Sequence, residues 1–135
     1  CLGTQYWVTK HPYTVENMPI YGILLDIVGG LDARFHREIA SHQLAGSIVD
    51  KVWGTASMSG YGNVFINQIG GAVMDDHVYV NQLGIPCIDI IENQNSQTGS
   101  FPPTWHTHAD NMSNISRTSL KAVGQVVLNV IYNEK

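Results

Sequence analysis

The sequence predicts an α/β sandwich of one domain, in which three strands alternate with helices. Short apolar runs bounded by glycine or proline predict buried strands. Apolar residues at helical spacing in the intervening segments predict helices that pack on those strands. The 135 residues are 44% hydrophobic and 13% charged, which is enough apolar material for one core.

Charge and composition narrow the class of partner. A net charge of -4 with only seven lysines and arginines argues against a nucleic-acid partner, which needs a basic patch to neutralise phosphates. A small-molecule or peptide ligand fits better. The longest apolar run, residues 21–30, contains Asp26 and is far short of the roughly 20 residues needed to cross a bilayer. No membrane span is therefore predicted, and Cys87 is expected to be a buried free thiol.

The first third of the chain is predicted to hold a helix, a connector and a strand with an acid near its end. The helix over residues 2–10 stops before His11-Pro12, because the residue before proline avoids the α region. Residues 21–28 predict a strand buried on both faces. A buried carboxylate must be paired, hydrogen-bonded or bound to a cation. Since ligands gather at the carboxyl ends of parallel strands, Asp26 is a candidate site residue.

The middle of the chain is predicted to form a long core-facing helix and a short strand. Ser41 is the expected N-cap of the helix, and Gly60 is its expected left-handed end. Trp53 is expected to pack in the core rather than to bind a ligand. The apolar stripe of this helix comprises Ala45, Ile48, Val49, Val52, Trp53 and Ala56. Residues 64–66 then predict a strand that ends at a glycine turn.

Two adjacent acids precede a second, shorter helix. Asp75 and Asp76 come just before residues 78–83, where either carboxylate can accept backbone N–H groups and favour the positive end of the helix dipole. Capping explains one acid and leaves the other, with the histidine that follows, open to a role in a site. Residues 85–91 predict another buried strand, which carries one acid, Asp89.

A stiff loop at residues 101–110 carries the remaining candidates. Its two prolines fix φ and disfavour helix, and a stiff loop beside a helix can aim side chains at a ligand. Trp105 and His106 are therefore candidate ligand-binding residues. The alternative is an imidazole that is only solvated or hydrogen-bonded. The polar segment before this loop, residues 92–100, is expected to be a mobile surface loop that acts as a lid or a plain connector.

Several blocks along the chain resemble one known family. They are, in order, Leu24-Leu25-Asp26-Ile27-Val28-Gly29, then Asp75-Asp76-His77 followed by Gly84-Ile85-Pro86, then Phe101-Pro102 with Trp105-His106-Thr107 and Asp110-Asn111. This combination resembles glutaminyl cyclases (glutaminyl-peptide cyclotransferases) of the zinc-aminopeptidase-like metallopeptidase superfamily. Further matches resemble the bacterial branch of that family, at Trp53, Ala122-Val123-Gly124 and Ile131-Tyr132.

The resemblance implies a mixed, mostly parallel sheet sandwiched by helices, with one zinc at the carboxyl edge of the strands. The family holds this zinc with an Asp, a Glu and a His, and the last of these matches His106. Its general base is a Glu adjacent to the metal-binding Glu, in a segment upstream of Cys1-Leu2-Gly3. Residues 1–135 are therefore expected to be the C-terminal portion of a single zinc-dependent catalytic domain. That portion is expected to be inactive alone, because two zinc ligands and the base precede residue 1.

The resemblance also implies roles for residues of this chain. By position, Asp26 and Asp75 match the catalytic acids that hydrogen-bond with the base, and Trp105 matches the surface against which the substrate packs. The implied reaction converts an N-terminal Gln to pyroglutamate with release of ammonia. Its implied substrates are peptides or proteins with N-terminal Gln, in the periplasm or outside the cell. Animal members have His where this chain has Asp89, so that position receives no role.

Two other functions stay open. In a zinc aminopeptidase of the same superfamily, Asp26 would bind a second zinc and a metal-bound water would attack the peptide bond. The position of Asp75 is then commonly a Ser or another small residue, so the pair of acids at residues 75–76 favours the cyclase. A noncatalytic peptide-binding relative would keep the fold without either activity.

Overall fold

Helices and strands alternate along the chain in the computed structural model, which describes residues 1–134. Within that range the helices are α1 (Leu2–Thr9), α2 (Ile39–Met58), α3 (Asp76–Gln82) and α4 (Arg117–Tyr132), and Met112–Asn114 form a single 3-10 turn. The strands are β1 (Gly22–Asp26), β2 (Phe35–Arg37), β3 (Phe65–Ile69) and β4 (Cys87–Ile91). The predicted α/β class is confirmed, and the structure adds a strand, β2, that the sequence did not predict.

The strands pair in parallel. β1 pairs with β4 in register, from Gly22 opposite Cys87 to Asp26 opposite Ile91, and β2 pairs with β3. The described residues thus form two two-stranded parallel sheets rather than one sheet of three strands. Parallel strands end at the same edge of a sheet, so Asp26 and the loop that leaves β4 lie together at the carboxyl edge.

The core lies between the strands and the two longest helices. Buried residues of α2, α4, β2, β3 and β4 form one apolar cluster, and all of β4 is buried, as predicted. β1 differs, because Leu25 is 44% exposed and none of its residues is fully buried. The prediction of burial on both faces of β1 is wrong for this chain, since β4 is its one neighbouring strand among residues 1–134.

The start of α2 also differs from the prediction. Its N-cap is Glu38, whose carboxylate accepts from the backbone N–H groups of Ala40 at 2.8 Å and Ser41 at 2.6 Å. Ser41, the predicted cap, is a buried helical residue whose hydroxyl accepts from the Asp89 N–H at 2.9 Å. β2 ends at Arg37, directly before this cap, and its three residues are too few to show a strand pattern.

Other side-chain predictions had mixed outcomes. Trp53 packs in the core as predicted, and its indole N–H donates to two backbone carbonyls, those of Phe35 and Ile66. Cys87 is a buried free thiol, also as predicted. The loop after β4 is not entirely on the surface, because Glu92 at its start is 2% exposed. Within residues 1–134, none of the helices combines the length and the apolar character of a membrane span.

Candidate active site

Two carboxyl groups meet at the carboxyl edge of β1. Asp26, the last residue of β1, is partly buried and accepts from the Ile27 backbone N–H at 2.9 Å. Asp75 is the N-cap of α3 and accepts from the Asp76 N–H at 2.7 Å. The Asp75 carboxyl is close enough to Asp26 to act on the pKa of Asp26 through its charge and a side-chain hydrogen bond, and two carboxyls can form such a bond only when one of them is protonated. The structure therefore brings together the two acids that the sequence singled out.

The surroundings of Asp26 favour its protonated form. Removal from water raises the pKa of this carboxyl, and the charge of Asp75 and the hydrogen bond to it raise the pKa further. The backbone N–H of Ile27 opposes this shift in part. The pair can therefore hold one proton at a pH where solvated aspartates have lost theirs.

A cavity of about 360 Å³ opens beside this pair. Asp26, Trp105 and His106 all line it, together with the turn that follows β1. Three of the four site residues predicted from the sequence thus share one cavity, whereas Asp75 does not line it and acts on it only through its effect on Asp26. Trp105 is 42% exposed, and its ring stacks on the His106 imidazole with the ring centroids 3.9 Å apart. The indole is thus accessible to a ligand in the cavity.

The backbone is strained at two residues that line this cavity. Ile27 has a φ of 49° and His106 a φ of 56°, in the left-handed region that non-glycine residues rarely enter. Such conformations cost of order 1–3 kcal/mol each and cluster at functional sites. Helix α4 holds the turn after Ile27 in place, because the Ser119 hydroxyl donates to the Gly30 carbonyl at 2.7 Å.

A buried polar network close to the acid pair was missed by the sequence reasoning. It consists of Glu38, His77 and Asp89, each 0% exposed. His77 Nε2 lies 3.1 Å from Glu38 Oε2, and His77 Nδ1 lies 3.7 Å from Asp89 Oδ2. The second distance is too long for a hydrogen bond, so neither carboxylate oxygen of Asp89 has a partner within residues 1–134. The acid inside the apolar β4 segment was the one sequence signal that a partner was needed.

The pKa values of the two acids in this network, Asp89 and Glu38, are shifted in opposite directions. Burial raises the pKa of Asp89 to about 8, and nearby charges add to the shift, those of Asp75, Asp26, Glu38 and Asp76. Burial alone would also raise the pKa of Glu38. Hydrogen bonds instead lower this pKa to about 2, from His77 and from the backbone N–H groups of Ser41, Val73 and Ala40. The network therefore combines an ionised Glu38 with a mainly neutral Asp89 at neutral pH.

The raised pKa of Asp89 predicts a measurable pH dependence of stability. Between its ordinary value of 3.8 and its folded value of about 8, the folded state retains a proton that the unfolded chain has released, so the free energy of unfolding falls as pH rises. Asp89→Asn removes this dependence. Between pH 4 and pH 8, the free energy of unfolding of the variant is expected to rise by up to about 5 kcal/mol relative to that of wild type. Urea unfolding measures this difference. Asp32→Asn, at an exposed aspartate, is the control, and a pH-independent difference for Asp89→Asn would contradict the assignment.

A zinc site requires more ligands than these residues supply. Catalytic zinc is held by three protein ligands, and His106 offers one imidazole. Among residues 1–134, the one group with ligand atoms mutually within 4.8 Å is Cys1, Asp75 and Asp76. This group does not include His106, so residues 1–134 do not build a complete zinc site around that residue.

Comparison with known proteins identifies the family. A model of peptidase family M28 matches residues 1–131. The chain belongs to peptidase family M28. The M28 chain superposes on the glutaminyl cyclase of Bacteroides thetaiotaomicron, solved with bound N-acetylhistamine, with a TM-score of 0.93 and 50% sequence identity. It superposes on a Zn-dependent exopeptidase from Parabacteroides distasonis with a TM-score of 0.91 and 50% identity. These matches confirm the resemblance inferred from the sequence motifs and the zinc-exopeptidase-like fold.

The M28 chain corresponds to only part of these proteins. The superposition includes 100% of this chain for the Bacteroides structure and 99% for the Parabacteroides structure. It includes only 46% of the chain in each of those structures. The bovine glutaminyl-peptide cyclotransferase is 31% identical over 58 residues, which are 43% of this chain and 14% of the bovine protein. The chain thus spans less than half the length of the relatives that it matches.

Proposed function

We propose that residues 1–135 are the C-terminal portion of the catalytic domain of a glutaminyl-peptide cyclotransferase. The observation that carries this proposal is that Asp26, with Asp75 beside it, shares one cavity with Trp105 and His106. The similarity to a bacterial glutaminyl cyclase at 50% identity supports it. The strained backbone at Ile27 and His106 also supports a functional role for this cavity.

The proposed reaction requires one proton to be moved between two nitrogens. The α-amine of an N-terminal glutamine attacks the carbonyl carbon of its own side-chain amide, so a C–N bond forms and closes the five-membered ring. The amide C–N bond then breaks, and the nitrogen leaves as ammonia after receiving a proton. The Asp26–Asp75 pair is suited to assist, because a carboxyl pair that shares a proton can stabilise either protonation state of an adjacent general base.

Two further residues would bind the reacting groups. We assign His106 as one zinc ligand, with the other ligands and the general base contributed by residues outside this chain. Zinc bound there would supply polarisation of the amide carbonyl. Trp105 would pack against the methylene groups of the glutamine side chain, for which its exposed indole offers an apolar surface. The proposed substrates are peptides or proteins with N-terminal Gln, and the proposed location is periplasmic or extracellular.

A zinc aminopeptidase is the second candidate, and the similarity to an exopeptidase from Parabacteroides distasonis favours it. In that function Asp26 would bind a second zinc. The pair of acids at residues 75–76 supports the cyclase instead, because the sequence resemblance implies a Ser or another small residue at the position of Asp75 in the aminopeptidases. The longer protein is one that contains residues 1–135 together with the remaining zinc ligands and the base. Two tightly bound zinc ions in each molecule of it would favour the aminopeptidase. A longer protein with neither activity would leave a noncatalytic peptide-binding relative.

The test is an assay of the longer protein on Gln-peptides and on aminoacyl-anilides, with and without a chelator. We expect ammonia release from Gln-peptides that the chelator abolishes. His106→Ala is expected to lower kcat/KM by more than the ~100-fold typical of losing an outer-shell partner of a metal site. His108→Ala is the matched control, since His108 is exposed and does not line the cavity. Residues 1–135 alone are expected to be inactive, and cyclisation by them would contradict the proposal.

A further inference from the structure

The candidate active-site cavity continues into a polar trough that leads away from Asp26. The first cavity shares four lining residues with a second of about 160 Å³, namely Gly30, Pro102, Thr104 and Asn114. The second shares four with a third of about 430 Å³, namely Leu31, Glu92, Asn95 and Gln97. The second and third cavities together are called the trough below. It runs from the active-site cavity to Arg34 and His36.

Glu92 makes this trough a built feature rather than a surface depression. The residue is 2% exposed, and its Oε1 accepts from the Asn95 side-chain amide at 2.8 Å. Its Oε2 has no hydrogen-bond partner among the described residues. Gly30 permits this arrangement, because a Cβ at that position would lie 2.8 Å from Glu92 Oε2. A buried carboxylate oxygen without a donor is unfavourable, and a ligand N–H would relieve that cost.

The other groups of the trough favour a peptide main chain as ligand. Gln97 offers both a side-chain donor and an acceptor, and Asn114 adds an amide oxygen while its Nδ2 donates to the Ala109 carbonyl. Asn95 already bonds to Glu92 and to the Gln97 N–H. A peptide carries one N–H and one C=O per residue, so amide side chains match it whatever its sequence. Charges of both signs occur in the third cavity, from Asp32, Arg34 and Glu92. These are two acids and one arginine, so the trough is nearly balanced in charge and does not strongly select an acidic or a basic ligand.

We infer that the trough binds the residues that follow the N-terminal glutamine of a peptide substrate, in extended conformation, with Glu92 accepting a main-chain N–H. The inference rests on the proposed cyclase function, because it takes the cavity at Asp26 and Trp105 as the place of the glutamine. An extended chain advances about 3.3–3.6 Å per residue, so successive residues enter the second cavity and then the third.

The test compares kcat/KM for a Gln-containing dipeptide amide and a Gln-containing pentapeptide in the longer protein. Leu31 is 57% exposed and lines the trough but not the active-site cavity. Leu31→Trp is expected to lower kcat/KM for the pentapeptide by about tenfold, the effect of one or two lost hydrogen bonds. For the dipeptide amide, kcat/KM of the variant is expected to stay within about twofold of the wild-type value. Gln97→Ala is expected to act in the same direction by a smaller factor.

The control and the possible outcomes separate this inference from the proposed function. Leu128→Trp makes the same substitution at an exposed leucine of α4 that lines neither the trough nor the active-site cavity, and it is expected to change neither substrate. If Leu31→Trp lowers kcat/KM equally for both substrates, the trough is not a subsite, although the cyclase proposal stands. The same holds if the wild type does not have a higher kcat/KM for the pentapeptide. If wild type cyclises neither peptide, the cyclase proposal fails and the subsite inference fails with it.

Discussion

Asp26→Asn is expected to lower kcat/KM of the longer protein on Gln-peptides by ~10²–10⁴, the range for loss of a proton-transfer group. The amide cannot share a proton with Asp75 as the carboxyl does across their hydrogen bond. Removing one negative charge is also expected to lower the pKa of the proposed general base, because a like charge no longer opposes its ionisation. The acidic limb of the kcat/KM profile is therefore expected to move to lower pH, which a pH series on one Gln-peptide measures.

The partner variant and a control make this result specific to the pair. Asp75→Asn is expected to have a similar effect, and the double variant is expected to lose less than the product of the two single losses, because the carboxyls act as a unit. Asp50→Asn removes a carboxylate that is 67% exposed and bonded to Arg37, away from the cavity, and is expected to retain activity. An Asp26→Asn protein with near-normal kcat/KM, or strictly multiplicative losses, would exclude a joint role for the pair.

The candidate site could be predicted to the extent that its signals were local. Capping preferences predicted that Asp75 or Asp76 caps the helix that follows, and Asp75 is the residue that caps α3. Asp26 was singled out as an acid near the end of an apolar run, and parallel pairing with β4 places it at the sheet edge beside the loop of Trp105 and His106. Each inference used residues close in sequence and one general rule of α/β sheets.

The buried network could not be predicted because its partners are distant in sequence. His77 meets Glu38 across 39 residues, and nothing near Glu38 in the sequence marks it as a cap that serves two elements. Ser41 looked the better cap by residue type, but Glu38 reaches the Ala40 and Ser41 N–H groups of α2 and also the Val73 N–H. Tertiary contacts therefore overrode a local preference, which sequence patterns cannot show.

Glu38→Ala is expected to reduce the free energy of unfolding by about 3–5 kcal/mol, because it leaves several buried hydrogen-bonding groups without a partner at about 1–3 kcal/mol each. The variant leaves the fully buried His77 without its partner at 3.1 Å and three backbone N–H groups without an acceptor, those of Ala40, Ser41 and Val73. Folding lowers the pKa of Glu38 from 4.5 to about 2. Its contribution is therefore fully present above pH 4.5 and is lost as pH falls towards 2. Urea unfolding between pH 2.5 and 7 measures the difference.

Two matched variants show whether this loss comes from the carboxylate itself. Glu38→Gln keeps the shape and one acceptor oxygen but not the charge, so its loss is expected to be smaller, about 1–3 kcal/mol. Glu16→Ala is the same truncation at an exposed glutamate of the connector and is expected to change stability by less than ~0.5 kcal/mol. If the loss in Glu38→Ala were equal at pH 2.5 and pH 7, it would arise from side-chain packing. A loss that shrinks at acid pH instead identifies the ionised Glu38 as the group that joins α2, α3 and the segment at Val73.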